Sequence, residues 1–410
     1  MITVTVVAPY PEASILRIAK YAESVGALES FYTPSRRYLR ALARIVDPIS
    51  RNVARRLERG IGNLTRSAEM SPLLELGRLF ASSTKNYRVL STYNSWLKCK
   101  FDDVISRRAI TSDVVIAMPE AALNIFQQNP NCLKVLNCVD AHPEVHNLAL
   151  LDAYPNGEGN SELVSDKVRD RVSSEMLLAD VLLVPSNLVA DQLIEQGISR
   201  GKIRVHPYGV DFSKFYSSDP EPTCPIRERP RLIYVGQISY RKGIPFLLEA
   251  VRGLDVDLCL IGPVPQKTLV EKLPSNVRYL GTFPHEELTR ELADADCFVF
   301  PSLEDTFALT VLEAAATGLP VIVTNTTGAA EVLDRSATRL VDPKNVAQLR
   351  KACADVNVLM SSDRLENARK VSRVTRELNM TWDHYASSII EELRLMNEQV
   401  KLDKRERDDS

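Results

Sequence analysis

Cys297-Phe298-Val299-Phe300-Pro301-Ser302-Leu303-Glu304-Asp305-Thr306-Phe307-Ala308-Leu309-Thr310-Val311-Leu312-Glu313-Ala314-Ala315-Ala316-Thr317-Gly318-Leu319-Pro320-Val321-Ile322-Val323 is the stretch that decides the fold. An apolar run, Cys297 to Phe300, reads as a buried strand. A loop of acidic and hydroxyl side chains follows, and the pattern predicts a helix that begins near Phe307 and stops at Gly318. Pro320 to Val323 then reads as a second strand. Strands that alternate with helices imply a mostly parallel sheet covered on both faces.

The same alternation extends outward. Upstream strands read Arg231 to Val235, Val256 to Ile261 and Val277 to Leu280; Thr338 to Leu340 lies downstream. Before Arg231 the pattern breaks at Pro220, Pro222, Pro225 and Pro230, which suits an inter-domain linker at about 216–230. Earlier still, a β-branched run, Ile2 to Ala8, opens another series that continues at Asp113 to Ala117, Lys134 to Cys138, Val181 to Val184 and Lys202 to Val205. The expected organisation is an N-terminal domain over 1–212, a C-terminal domain over 213–378, a helix over 379–400 returning towards the N-terminal domain, and a polar tail over 401–410. A chain of 410 residues suits two such cores of roughly 150–200 residues each.

Composition excludes several classes. The formal net charge of −2 argues against a wholly basic nucleic-acid binder. The seven cysteines are scattered, odd in number and without a Cys-x-x-Cys pair, so they read as reduced thiols of a cytoplasmic protein. No signal-peptide pattern precedes the first strand, and no apolar stretch approaches the ~18–20 residues that span a bilayer. No Gly-x-Gly-x-x-Gly follows either domain's first strand, which disfavours a nicotinamide dehydrogenase.

Three segments at strand ends carry candidate chemistry, where ligands of open α/β sheets bind. Gly236-Gln237-Ile238-Ser239-Tyr240-Arg241-Lys242-Gly243 offers two adjacent cations and glycines that allow close backbone approach to a diphosphate; read by itself, it is equally a solvated surface loop. Pro301 to Pro320 offers free amides at a helix start, which hold phosphate. Asp305 precedes that start and Glu313 lies about a turn and a half inside it. Both carboxylates suit vicinal hydroxyls, Asp305 those of a sugar and Glu313 those of a ribose. The plain alternative, acidic residues stabilising a helix start, accounts for Glu304 and Asp305 but not for Glu313. Thr324 to Glu331 is a third strand-to-helix loop.

Pro301 to Pro320, Arg241-Lys242-Gly243 and His206-Pro207-Tyr208-Gly209-Val210-Asp211, in this combination, resemble glycosyltransferase family 4. The resemblance covers about Ala179 to Glu331 and extends more loosely to Tyr385. It implies the GT-B fold, two Rossmann-like domains facing each other across a cleft, and a retaining transfer from a nucleotide-sugar donor, a UDP- or GDP-sugar, to a hydroxyl of a glycan, lipid-linked or small-molecule acceptor. The carry-over makes Gly236, Gln237, Arg241, Lys242, Thr282, Phe283, Asp305, Thr306, Phe307, Ala308, Leu309, Thr310 and Glu313 donor-binding. It makes Lys242, Arg241, Asp305 and His142 catalytic, with His142 reaching a donor hydroxyl and His146 as its rival. The sequence departs from the family's pattern at Asp305, where a glutamate is usual, at Gln237, where an arginine is usual, and in the first loop, Pro9 to Ser14, which lacks glycine. That loop is expected to shape the acceptor site instead.

The aspartate pairs Asp255/Asp257 and Asp294/Asp296 precede strands, so they read as solvated turns, and no essential metal or cofactor is expected. The stretch 36–66 carries nine arginines among apolar residues at helical spacing. It fits either an anionic membrane surface or a helix pair packed on the first sheet. A nucleotide-sugar-binding pseudoenzyme and a sugar-nucleotide epimerase remain the alternative functions. Nothing in the residues sets the oligomeric state.

Overall fold

The structure is a computed structural model that describes residues 2–10, 12–34, 67–70, 87–211, 228–356 and 379–408. The linker at about 216–230 falls mostly outside these residues, as do the basic stretch 36–66, Cys224 and the helical pattern of 365–378.

Two parallel sheets form the frame. The first contains β1 (Val4–Val7), β2 (Leu28–Pro34), β3 (Ser67–Met70), β4 (Val114–Ala117), β5 (Leu133–Asn137), β6 (Val181–Val184) and β7 (Ile203–Val205), in the order β3-β2-β1-β4-β5-β6-β7. The second contains β8 (Arg231–Val235), β9 (Asp257–Ile261), β10 (Val277–Gly281), β11 (Cys297–Phe300), β12 (Val321–Thr324) and β13 (Thr338–Val341), in the order β10-β9-β8-β11-β12-β13. Every described pairing is parallel. Both sheets are wound in opposite senses from a central pair, β1/β4 and β8/β11. The crevices at the C-terminal ends of those pairs are the switch points where such sheets bind ligands.

Central strands are apolar throughout because helices cover both faces. All four residues of β1, β4, β6, β11 and β12 are buried. The Trp382–Asp408 helix packs against the Ala13–Ser24 helix of the first domain. Its start is pinned where Val210 N–H donates to the Met380 carbonyl (3.1 Å). There the Tyr208 ring packs against Phe307 (5.3 Å between centroids), Trp382 (5.9 Å) and Tyr385 (5.6 Å).

The expectations need three corrections. β2 and β3 extend the first sheet beyond the strands read from sequence. The helix expected near Phe307 starts at Leu309. The reason is that the backbone before it bonds the neighbouring loop: Asp305 N–H to Thr326 O (3.0 Å), Gly328 N–H to Asp305 O (3.0 Å) and Ala329 N–H to Phe307 O (2.8 Å). Asp296 is no solvated turn residue. It is buried, and its carboxylate accepts the Arg231 N–H at 2.7 Å while Asp294 pairs with the Arg231 guanidinium.

Among the described residues the cysteines are free thiols, no helix is long and apolar enough to cross a membrane, and no group of three or more metal-ligating side chains occurs.

Candidate functional site

The β8/β11 switch point brings together the two loops singled out from sequence. The β8 loop ends at Gly243, whose φ is +67° and whose pro-Cβ direction is filled by the Pro301 carbonyl. Only glycine fits that approach without strain. Lys242 is thereby pressed onto the start of the β11 loop. Its side chain is 10 % exposed, and its ammonium pairs with the Asp305 carboxylate and lies 5.4 Å from the centre of the Phe300 ring. Burial, with Arg241 alongside, pulls the Lys242 pKa below its ordinary value against the opposing pull of Asp305.

Asp305 uses its other oxygen to accept the Phe307 N–H at 3.1 Å. The carboxylate therefore ties the buried cation to the approach of the Leu309–Ala316 helix. Ala308 caps that helix at φ +61°, uncommon for a residue with a Cβ, and no side chain caps its first amides. Lys242, Asp305, Thr306, Phe307, Ala308, Leu309 and Thr310 thus converge on one helix start.

Glu313 lies further along the same helix, half-buried, and its carboxylate has no hydrogen bond or ion pair among the described residues. Burial alone pushes its carboxyl up to about 7. Gly236 and Gln237 occupy the β8 end, where the Tyr234 hydroxyl donates to the Gln237 carbonyl (2.8 Å). Thr282 is exposed and Phe283 half-buried just beyond β10 on the same rim.

The first domain closes onto these loops. Thr306 donates its hydroxyl to the Val139 carbonyl (2.9 Å), and Ser186 donates its own to the Thr306 carbonyl (2.9 Å). Arg241 pairs with Glu304 at 3.1 Å, and the same Glu304 oxygen meets His146 Nδ1 at 3.0 Å. Burial raises the Glu304 pKa, but Arg241 outweighs it, with His146 and Lys242, and holds the carboxylate well below its usual range.

His142 lies just past the end of β5, as read from sequence. It caps the Pro143–Ala153 helix, with Nδ1 accepting the Glu144 N–H (3.2 Å) and Nε2 facing the Ser173 hydroxyl (3.2 Å). Both ring nitrogens have partners inside the first domain, and burial pulls the His142 pKa below its ordinary value. His146, one turn later, reaches the second domain. Sequence reasoning also missed Glu162, whose carboxylate accepts the N–H groups of Tyr240 (2.8 Å) and Arg241 (2.9 Å). Its only local signal is a position after a glycine-containing turn.

At the β1/β4 switch point the first loop presents Tyr10. The Lys98 ammonium lies 5.2 Å from that ring's centre and pairs with Glu120 at 2.6 Å. Burial raises the Tyr10 hydroxyl to about 12. Glu120 adopts φ +70°; its N–H donates to Glu175 (2.7 Å) and its carbonyl accepts from Arg171 (3.0 Å). The loop that lacks glycine therefore joins Lys98 and Glu120 in a polar cluster at this switch point.

Residues 229–356 match the family described as glycosyl transferases group 1. The chain is similar to the Arabidopsis thaliana sulfoquinovosyl transferase SQD2, 32 % identical over 165 residues, which is 38 % of this chain and 32 % of that protein. Curated relatives are matched over about a third to a half of their own length. Among solved structures, sucrose-phosphate synthase from Thermosynechococcus elongatus superposes with a TM-score of 0.64 at 16 % identity, covering 97 % of this chain and 99 % of that one. Anabaena HepE, in complex with UDP and glucose, superposes with a TM-score of 0.63 at 15 % identity, covering 96 % and 100 %. The architecture is GT-B.

Proposed function

We propose, from the premise that residues 229–356 are a glycosyl transferases group 1 domain, that the chain transfers a sugar from a UDP- or GDP-sugar to an acceptor hydroxyl with retention of anomeric configuration. The observation that carries the reading is the placement of Lys242. It is a buried cation held by Asp305 against the amino end of the Leu309–Ala316 helix. A helix start with uncapped amides and an adjacent ammonium is an anion site.

The donor diphosphate lies against the amides of Leu309 and Thr310, and Lys242 exchanges its carboxylate partner for phosphate oxygens. Asp305 is then free to accept sugar hydroxyls, Glu313 takes the ribose hydroxyls, and Thr282 and Phe283 border the base. Charge grows on the departing diphosphate, where Lys242 and Arg241 stabilise it. The acceptor hydroxyl attacks the front face of the anomeric carbon and passes its proton to the leaving phosphate oxygen, so no protein nucleophile and no metal is needed. Tyr10, Lys98 and Glu120 border the acceptor, a glycan, lipid-linked or small molecule. The reading places the protein in the cytoplasm, with 36–66 against an anionic membrane; flotation with anionic liposomes at low salt tests that contact.

The main experiment is a thermal-shift screen with UDP-, GDP- and ADP-sugars, followed by donor turnover. One nucleotide series should raise the melting temperature in proportion to its affinity. No shift with any of them sinks the reading. Both donor-site cations already hold carboxylate partners, which favours a binding-only protein as the second reading; tight binding without turnover, in wild type and in Glu313→Ala alike, selects it.

A further inference from the structure

We propose that Glu162 and His146, both in the first domain, are positioning residues that set the donor loop of the second domain. The proposal rests on the glycosyltransferase reading; it adds Glu162 and gives His146, read from sequence as a rival for a donor hydroxyl, a different role.

The geometry is a closed ring of four residues, two from each domain. The Glu162 carboxylate receives two successive amides of the donor loop, Tyr240 N–H at 2.8 Å and Arg241 N–H at 2.9 Å. The Arg241 guanidinium turns to Glu304 at 3.1 Å. Glu304 meets His146 Nδ1 at 3.0 Å, and His146 Nε2 meets the Glu162 carbonyl at 2.9 Å, which closes the circuit. Both groups facing the imidazole, the Glu304 carboxylate and the Glu162 carbonyl, are acceptors. Glu162 is only 6 % exposed, and so is removed from competing water.

A second contact fixes the same peptide from its other side. The Tyr154 hydroxyl donates to the Tyr240 carbonyl at 3.0 Å, and its ring packs edge-on against Tyr240 and stacks on Phe246. The N–H and the C=O of Tyr240 are thus both held by the first domain. Lys242 follows two residues later, before the left-handed turn at Gly243. A loop held at both polar atoms cannot rotate its cations away from the diphosphate position. When the domains part, Glu162, His146 and Tyr154 leave together, and the loop loses its template.

The test uses the full chain. Binding of UDP and GDP is measured by calorimetry, and amide hydrogen exchange is followed at Tyr240 and Arg241. A carboxamide at position 162 presents one acceptor and one donor group to two N–H donors. Glu162→Gln should therefore weaken nucleotide binding by roughly ten- to a hundredfold, the scale of hydrogen bonds to a charged group. It should raise the donor KM with kcat largely kept at saturating donor. It should also speed exchange at those two amides while the Leu247 amide, bonded to Gly243 within the next helix (3.1 Å), keeps its wild-type protection and so reports an intact fold. His146→Gln should act in the same direction, more weakly. Glu162→Gln that binds nucleotide as tightly as wild type, or exchange at Tyr240 and Arg241 that is unchanged by the substitution, overturns the positioning role. Wild-type protein that binds neither nucleotide overturns the enzymatic reading itself.

Discussion

The Ala13–Ser24 helix and the Leu309–Ala316 helix both follow a strand that borders a switch point, yet their free amides meet opposite fates. The first is capped by Glu12, whose carboxylate accepts Ser14 N–H (2.8 Å), Ile15 N–H (3.4 Å) and the Ser14 hydroxyl. The second has Ala308 in the left-handed region and no side-chain cap. One domain fills its helix start with an anion of its own, and the other leaves it open beside a lysine. In two domains whose sheets share the order of six strands, this difference is the ground for proposing that phosphate binds the second.

The largest break in that asymmetry is Lys242→Met. It removes the cation while keeping most of the buried volume, so donor turnover should fall by about 10²–10³, the range seen when one preorganised charge-stabilising donor is lost. Steady-state donor hydrolysis reads the effect. A loss below about threefold would place the diphosphate elsewhere.

Glu313→Gln sharpens the comparison through pH. The carboxyl is raised to about 7 in the folded chain, from 4.5. The folded state thus favours the protonated acid, and its stability advantage is full below pH 4.5 and lost as pH rises through about 7. Glu313→Gln should therefore stabilise the ligand-free protein at pH 8, by about 1–3 kcal/mol at one pKa unit per 1.36 kcal/mol, and leave it nearly unchanged near pH 4.5. Nucleotide binding should move the other way, strengthening through about pH 7 in wild type and staying flat in the variant. Melting curves and calorimetry at both pH values check the pair of trends. Such opposition between stability and binding is what a functional carboxylate produces.

How far the sequence discloses this arrangement depends on how local each contact is. Cys297–Phe300 and Val321–Thr324 are uniformly apolar, so their strands are plain. Leu28–Pro34 mixes polar residues with apolar ones and ends in proline, and Ser67–Met70 is short and borders the arginine-rich stretch, so neither reads as a strand. Lys242 and Asp305 are legible because each sits in a strand-to-helix loop with its own pattern. Glu162 is not, because its partner lies 78 residues away across the domain boundary; His146 is read only as the rival of His142, since its partner Glu304 lies 158 residues away. His142 precedes a proline, and it becomes a helix cap, as a polar residue before proline at a helix start commonly does.

Gly328→Ala probes the loop that displaces the Leu309–Ala316 helix start. An added Cβ would collide with the Thr306 carbonyl and lie 2.6 Å from the Ser186 hydroxyl. The Thr306 carbonyl lies in the same domain as Gly328, so the loop itself must shift, and the Ser186 hydroxyl that donates to that carbonyl across the domain contact must shift with it. Overpacking of this kind costs about 1–3 kcal/mol, read as a lower denaturant midpoint with an unchanged slope. Full wild-type stability would show that the Gly328 loop does not approach Thr306 and Ser186 this closely in solution.

Glu12→Ala produces the smallest shift and the cleanest contrast. Loss of a helix cap costs about 1 kcal/mol, and here some of that is returned. Burial already raises the Glu12 carboxyl above its ordinary value, so removing it also removes a charge the fold holds at a disadvantage. Ser14 keeps one partner, since its hydroxyl still accepts from Asn137 at 3.0 Å. Nucleotide affinity should stay within about twofold of wild type, because the amides proposed to hold phosphate are in the other domain. The informative measurement is inorganic phosphate binding to the variant. With Glu12 gone, the Ser14 and Ile15 amides lack an acceptor, and weak phosphate binding that wild type does not show would demonstrate that a native carboxylate alone keeps the first domain from being an anion site.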